Sequence, residues 1–461
     1  MRFFRSLFEK VPPGLAVILF LAIVSGLILS FKKITQLEDM EMWTPARNHL
    51  PAYVPFIKGW NKEHPDQQFS ISHISSRALE RRLLSGFFSG TPVANLTEIH
   101  IRTAHHSFAG PLDAIGFVDL TDRLKKEGLL DEINGPSFGP WTNRGRIFVL
   151  PHDVHPVLLA YRSDIVEEAG IDVSQIETWE DYFRMMKPLM ADKDGDGYPD
   201  RYLLNIWDTT GAYIILLMQQ AGGRLFDEEG KATMASDINV KTLATIVTWV
   251  SGPNRVGMEM ISNSASDFSL MLDGVITGFF MPDWLIGNLK QKLPTIAGKL
   301  KVMPLPAWEP GGRRTAVSGG SGLGFPKAAP NFETAWELGK SLYFSEEIAI
   351  HLFETASIIT PIKRFWDNPI YDRPDPFFSG QPIGRMLIDQ APYVPTRTSS
   401  PYLELATKHL VNAAGNLKRY ANKNNIFTVE ELLPEAKPQL KIAQEHVENQ
   451  MARNIFLETT P

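Results

Sequence analysis

The sequence contains no cysteine, which excludes disulfides, thiolate metal sites, cysteine nucleophiles and the acylated cysteine of a lipoprotein. It also lacks a positive excess. Lys and Arg number 46 against 52 Asp and Glu, for a net charge of −6, and the cations are scattered along the chain. There is therefore no basic field to hold nucleic-acid phosphates. No repeat or low-complexity stretch stands out. The glycines of Gly320-Ser-Gly-Leu-Gly324 lack the spacing of a dinucleotide loop, no lysine-bearing phosphate loop exists, and His-Glu-x-x-His is absent. What remains is ordinary for a globular chain, 44% hydrophobic and 21% charged. At 461 residues it is too long for one core and fits two lobes.

Long apolar runs are missing with one exception. Gly14 to Phe31 is uninterrupted, preceded by Arg2, Arg5 and Lys10 and closed by Lys32 and Lys33. As a helix it spans ~27 Å, near a bilayer core of roughly 30 Å. It is longer than a signal-peptide core, and no small-x-small cleavage site precedes the lysines. The expectation is an uncleaved single transmembrane anchor over 14–31, with 1–13 in the cytoplasm and the remainder outside the cell membrane, in the periplasm or extracellular space.

Beyond the anchor, Met40, Met42 and Trp43 begin a short strand. Leu50, Tyr53, Val54, Ile57 and Trp60 share one face of a helix that Pro65 ends. Phe69 and Ile71 alternate as a second strand, Arg77 to Phe88 reads as a helix, and Ala94 to Ile101 as a third strand. This alternation predicts an α/β fold with a parallel sheet and crossover helices, whose ligands bind beyond the carboxyl ends of the strands. That places Trp43 to Arg47 and His105 to Phe108 in loops at a candidate site. Thr178 with Asp181, and Thr428 with Glu431, are capping boxes that open helices. Pro361 to Pro401, rich in proline and aromatics, reads as an irregular excursion.

Asp192-Lys-Asp-Gly-Asp-Gly-Tyr-Pro-Asp200 has the spacing of a calcium loop. Asp192, Asp194, Asp196 and Asp200 supply carboxylates, Tyr198 a carbonyl, and Gly197 the sharp turn. Position twelve is Leu203 rather than a bidentate glutamate, so the loop is not a complete EF-hand. It is expected to hold one structural calcium ion, against the plainer reading of a solvated acidic turn. His105-His106 and His152-x-x-His155 are zinc-type ligands without a partner cluster in the sequence.

Several short motifs together resemble the bacterial extracellular solute-binding proteins of the sugar-binding (family 1) type. They run in order: Gly116-Phe-Val-Asp-Leu-Thr-Asp122, Gly145-Arg-Ile-Phe-Val-Leu-Pro151, Leu159-Ala-Tyr-Arg-Ser-Asp164 and Thr178-Trp-Glu-Asp-Tyr182. Met271-Leu-Asp-Gly274, Met281-Pro-Asp-Trp284, Pro304-Leu-Pro306 and Gly319-Gly-Ser-Gly322 follow. The chain departs from the family at Tyr161-Arg162, where tyrosine-asparagine is usual, and in carrying an anchor instead of a lipoprotein cysteine. The resemblance implies two α/β lobes of the periplasmic-binding-protein type (type II-like) that close like a hinge. It places the first lobe at about 36–152 and 314–362 and the second at about 153–313 and 363–461. The implied role is capture of a sugar or oligosaccharide and its delivery to the permease subunits of an ABC importer, without catalysis. Two other readings stand beside it: a sensory ectodomain serving a separate signalling partner, and an anchored carbohydrate-active enzyme using carboxylates such as Asp153, Asp208 and Asp283.

A sugar site needs aromatic platforms for ring faces and short polar groups for hydroxyls. Trp43 at the first strand end, Arg47 after it, and Trp207-Asp208 at another strand end are candidates by position. Asp283-Trp284 matches the place where the family's second lobe offers a stacking tryptophan. The glycine turn Ser318 to Ser321, with Gly320 and Ser321, lets backbone amides approach a ligand closely. His152, Asp153 and His155 lie at the first crossing between lobes. Trp179, Trp249 and Trp336, at helical spacing, are assigned to the core.

Overall fold

The computed structural model describes residues 17–18, 20–25, 40–192, 195, 197, 199–207, 210–259 and 265–455. Two units separate, Met1–Met40 and Glu41–Pro461. In the first, residues 17–18 and 20–25 are helical, and Val17, Ile18, Phe20, Leu21 and Ile23 are exposed. No helix among the described residues is long and apolar enough to cross a membrane. Of the expected anchor, residues 14–16, 19 and 26–31 lie outside the described residues.

The second unit is built on two larger sheets, of five and three strands, with two two-stranded pairs beside them among the described residues. The first has five strands in the order Phe69–His73, Met40–Thr44, Leu96–His100, Ser321–Gly324, Val149–Pro151. Met42 lies opposite Leu96 in a parallel pair, and helices Leu50–Glu63 and Ser76–Ser89 make the connections, as the alternating pattern predicts. The sheet is nevertheless mixed. Ser321–Gly324 runs antiparallel to both neighbours, with Ser321 against His100 and Gly322 against Pro151. This strand enters from a distant part of the chain rather than through a local crossover helix, so nothing near it fixes a parallel direction. A side chain at Gly322 would meet Val149 Cγ1 at 2.6 Å, which is why so weak a strand former holds that place.

The second sheet places Val157–Arg162 between Gly278–Pro282 and Leu300–Pro304, antiparallel to both. All six residues of the central strand are buried, which accounts for its continuous apolar run. Arg162 ends it, donating to the carbonyls of Met271 and Leu272 and to Asp164. One face of this sheet packs with the two long helices Leu403–Asn424 and Val429–Met451, through Leu410, Leu417, Leu432 and Leu440. That cluster also takes in Trp179 and Trp249. Phe279, Met281, Ile359, Ile370, Tyr371 and Leu387 form a second cluster. The proline-rich excursion is made of short 3-10 turns, as its composition suggests, but it also contains one α-helix, Ile383–Gln390.

The two helix starts differ. At Thr178 the box is complete, the hydroxyl accepting from the Asp181 N–H and the Asp181 carboxylate from the Thr178 N–H. At Thr428 only half is made. The hydroxyl accepts from the Glu431 N–H but donates to the Glu431 carboxylate, so the reciprocal backbone bond expected from the sequence is lost to a side-chain bond.

Candidate functional site

Three segments tie the two sheets together. His152–Pro156 links Val149–Pro151 to Val157–Arg162, residues 305–320 link Leu300–Pro304 to Ser321–Gly324, and Ser357–Thr360 follows helix Glu346–Ala356. They hydrogen-bond one another: His152 N–H to Ser321 O at 3.1 Å, Val154 N–H to Ile359 O at 3.2 Å, Val157 N–H to Ala316 O at 3.2 Å, and Ser318 N–H to His155 O at 3.3 Å. Three adjacent connections of this kind make one seam between the sheets, the place where a hinge rotation in a two-lobed protein is ordinarily absorbed.

The side chains of the hinge carry buried charge. His155 Nε2 lies 2.9 Å from Asp153 Oδ2, and its Nδ1 lies 2.5 Å from Asp283 Oδ1. Asp283 is fully buried and also accepts the N–H of Trp284 at 2.7 Å and of Ile359 at 3.0 Å. Asp153 accepts from His152 Nδ1 at 3.1 Å and from the Ser321 N–H at 3.1 Å. Burial alone would lower the His155 pKa; the Asp153 and Asp283 carboxylates override it and raise it to about 10. Burial would likewise raise Asp153, but the His155 charge beside it holds it well below the usual carboxylate range. Both nitrogens of His155 therefore donate, and an imidazolium is held between a carboxylate of the first crossing and one from the second sheet.

The glycine turn fits around this clamp. Gly319 has φ +105°, and a Cβ there would lie 2.8 Å from Trp284 Nε1 and 2.9 Å from His155 Cδ2. Gly320, at φ +144°, faces Ile101 at 2.4 Å by the same measure. Trp284 is half-buried and donates its Nε1–H to Ser318 O at 2.9 Å.

Beside the turn is a cavity of about 180 Å3, lined from the first-sheet side by Ile101, His105 and Pro140, from the second by residues 212–226, and by Ser318, Gly319 and Arg397. Its volume lies below the roughly 300–1,000 Å3 of drug-sized ligand pockets, so the two sides stand close together. His105 belongs to the short helix Ile101–Ser107 rather than to a loop. Burial, then the charges of Arg397 and His106, hold its pKa at about 3, which leaves a neutral ring. Its Nε2 is buried without a hydrogen-bond partner. Burial brings Arg397 down to about 10; it stays charged at neutral pH and donates to Gly319 O. A larger hollow of about 990 Å3, between helices Leu50–Glu63 and Phe332–Tyr343, is lined by Glu63, Glu333, Glu337 and Glu347. It involves neither the hinge nor the second sheet, so the smaller cavity is the candidate site.

Of the residues singled out in the sequence, the structure brings together His152, Asp153, His155, Asp283, Trp284, Gly320 and Ser321 at the hinge. It does not bring Trp43 there. Trp43 is 7% exposed in the core of the first sheet, with Arg82 over its ring, 5.8 Å from the centroid. Arg47 is exposed in a short 3-10 turn. Trp207 ends the strand Leu204–Trp207; Asp208 lies outside the described residues, as do Asp194, Asp196 and Tyr198 of the acidic loop. Asp192 accepts the N–H groups of Gly195 at 2.7 Å and Gly197 at 2.9 Å, and Asp200 donates its N–H to Ala191 O at 3.4 Å. Sequence reasoning missed Arg397 and gave no role to Glu98, whose position in the buried strand Leu96–His100 was the available signal. A glutamate there is fully buried only when it is paired.

A family model described as bacterial extracellular solute-binding protein matches residues 46–347. The chain belongs to this family. Among similar proteins, the arabinooligosaccharide-binding protein of Halalkalibacterium halodurans is 24% identical over 357 residues, 76% of this chain and 78% of that protein. The lactose-binding protein of Rhizobium radiobacter is 23% identical over 349 residues, 73% and 78% of the two chains. A solved structure of the ABC-transporter-associated binding protein from B. animalis subsp. lactis, in complex with β-1,6-galactobiose, matches with a TM-score of 0.63 and 20% identity. It covers 90% of this chain and 98% of its own. The sugar-binding protein MalE of Xanthomonas citri matches at TM-score 0.70 and 14% identity, over 90% and 99%. The solute-binding protein thus shares the two-lobed fold of these structures, with the three crossings as its hinge.

The clamp gives this solute-binding protein a defined pH response. Because the folded pKa of His155 is raised to about 10, its contribution to stability is complete below the unfolded value of about 6.5 and is lost as pH rises towards 10. Removing one arm should therefore change the alkaline limb. Asp283→Asn should cost roughly 3–5 kcal/mol, the range for breaking a buried ion pair, and should flatten the fall of the melting midpoint between neutral pH and 10. Melts across that range check it; parallel alkaline limbs for the two proteins would contradict the clamp.

Proposed function

We propose that this protein captures a sugar or oligosaccharide in the cavity between its lobes, outside the cytoplasm, and hands it to an ABC permease. The observation that carries the reading is the cavity at the hinge, walled from both sheets, with His105, a neutral ring, and Arg397 lining it. A concave site with a few polar groups among apolar ones suits a sugar's hydroxyls and ring faces. Arg397, Gln219 and Thr396 add polar side chains along the same wall. Family membership and the sugar ligands named for similar proteins point the same way. Asp153 and Asp283, two candidates for a hydrolase pair, are both taken up by one imidazole, so the enzyme reading draws no support from them.

Calorimetric titration with arabino-oligosaccharides, lactose, β-1,6-galactobiose and maltose tests this. At least one should bind, and His105→Ala should weaken it roughly tenfold, the worth of one good hydrogen bond. No binding by any glycan in a broad panel, under conditions where the chain is folded, would refute the reading.

Two further features belong to it. Asp192, Asp194, Asp196, Tyr198 and Asp200 are proposed to hold one calcium ion that stabilises the second lobe. An ion that binds only the folded state raises the melting midpoint, so melts with calcium and with chelator should differ, and identical melts would end the idea. The segment 14–31 is proposed to stay attached as a membrane anchor. Amino-terminal sequencing of the native protein should begin at residue 1 or 2, whereas a start near Lys32 to Leu37 would show a cleaved signal peptide.

A further inference from the structure

Behind the hinge, on the side of the first sheet, three metal-ligand side chains converge. His49, Glu98 and His152 are all buried, and one potential ligand atom from each lies within 4.8 Å of the others. His49 Nδ1 is 2.9 Å from Glu98 Oε1, and the His49 and His152 rings stack with centroids 4.5 Å apart. The three come from separate parts of the chain: His49 from the turn after Met40–Thr44, Glu98 from Leu96–His100, and His152 from the first crossing.

Two observations beyond proximity point to a ligand. The first is the state of His152. Its Nδ1 lies 3.1 Å from Asp153 Oδ2; in the neutral ring with its proton on that nitrogen, the lone pair sits on Nε2. That Nε2 is buried and has no hydrogen-bond partner. A carboxylate behind a histidine, fixing the tautomer and leaving the far nitrogen free, is the arrangement that orients imidazole ligands on metals. The second is a small cavity of about 10 Å3 lined by Tyr53, His152, Tyr343 and Thr360, about one water-sized sphere. Glu98 itself is held in place: its Oε2 accepts from the Tyr53 hydroxyl at 2.8 Å and the Tyr343 hydroxyl at 3.4 Å, and its Oε1 from the Thr44 hydroxyl at 3.2 Å.

The geometry points to a divalent-cation site, with His49 Nδ1, the Glu98 carboxylate and His152 Nε2 as ligands and a water from the adjoining cavity as the fourth. Two imidazoles and one carboxylate in a small tetrahedral set suit Zn2+ rather than calcium or magnesium, which prefer six or more oxygens. Bonds of about 2.0–2.1 Å set tetrahedral ligand atoms about 3.4 Å from one another, so His49 Nδ1 and Glu98 Oε1 part slightly from 2.9 Å while wider spacings in the trio, up to 4.8 Å, close. Loading replaces the His49 Nδ1–Glu98 Oε1 hydrogen bond by bonds from both groups to the ion, and moves the His49 ring proton from Nδ1 to Nε2 or releases it to water. The ion would pin the first crossing to the first sheet and stiffen one side of the hinge. None of this depends on which solute the protein carries.

The test uses the full chain, stripped with chelator and titrated with Zn2+ against a chromophoric competitor, and with Co2+ followed by its visible absorption. One ion per chain, a tetrahedral Co2+ spectrum and an X-ray absorption shell with two imidazoles are expected. Asp153→Asn should weaken Zn2+ roughly ten- to a hundredfold, as loss of a carboxylate behind a ligand does, and His152→Gln and His49→Gln should weaken it further. Absence of Zn2+ uptake by the wild-type chain, or uptake unchanged in a folded His152→Gln, overturns the site. If the variants do not fold, the absorption shell of the wild-type protein decides: two imidazoles support the site and an all-oxygen shell overturns it.

Discussion

The imidazolium of His155 between Asp153 and Asp283 is the constraint around which the hinge is arranged. It joins the first crossing to the head of the helix Asp283–Lys292, and through the second oxygen of Asp283 it reaches the third crossing at Ile359. His155 takes φ +57°, a left-handed conformation uncommon outside glycine. The Gly319 backbone then passes so close to the ring that no Cβ fits. The left-handed residue, the glycine and the neighbouring tryptophan are packed around one buried charge held from two sides.

A buried ion cluster seldom adds much net stability, because desolvation offsets most of the attraction. Its value here is geometric. An unpaired charge in this place would be costly, so the crossings are fixed relative to one another wherever the clamp is made. The cavity between the lobes uses the other face of the same turn. Ser318 and Gly319 line it, while Ser318 itself accepts from Trp284 Nε1–H and donates its N–H to His155 O. The wall of the cavity and the buried clamp therefore share the backbone of one turn.

Much of the fold was legible in the sequence. The first three strands and two helices follow from local periodicity, and each falls within a few residues of its predicted span. Ser321–Gly324 was not legible as a strand, because two of its four residues are glycine and its partners lie more than 170 residues away. Trp43 shows the limit of reading a site from strand ends. Met42 and Trp43 point to opposite faces, yet both are buried, since the sheet is covered on both sides. The aspartates and histidines of the hinge were visible as a cluster around 152–155, but their pairing with Asp283 and Glu98 is purely tertiary. His105 sits at the site that strand order predicts but on a helix rather than in a loop; its unpartnered nitrogen follows only from packing.

The protonation state of His155 is the most direct test of the account. Nuclear magnetic resonance of the imidazole nitrogens, assigned with His155→Gln and followed from pH 5 to 11, reads it without disturbing the hinge. The clamp predicts that both nitrogens stay protonated through neutrality and titrate only near 10. A titration near the ordinary value of about 6.5 would mean that the two carboxylates do not hold an imidazolium, and the account of the hinge would fail.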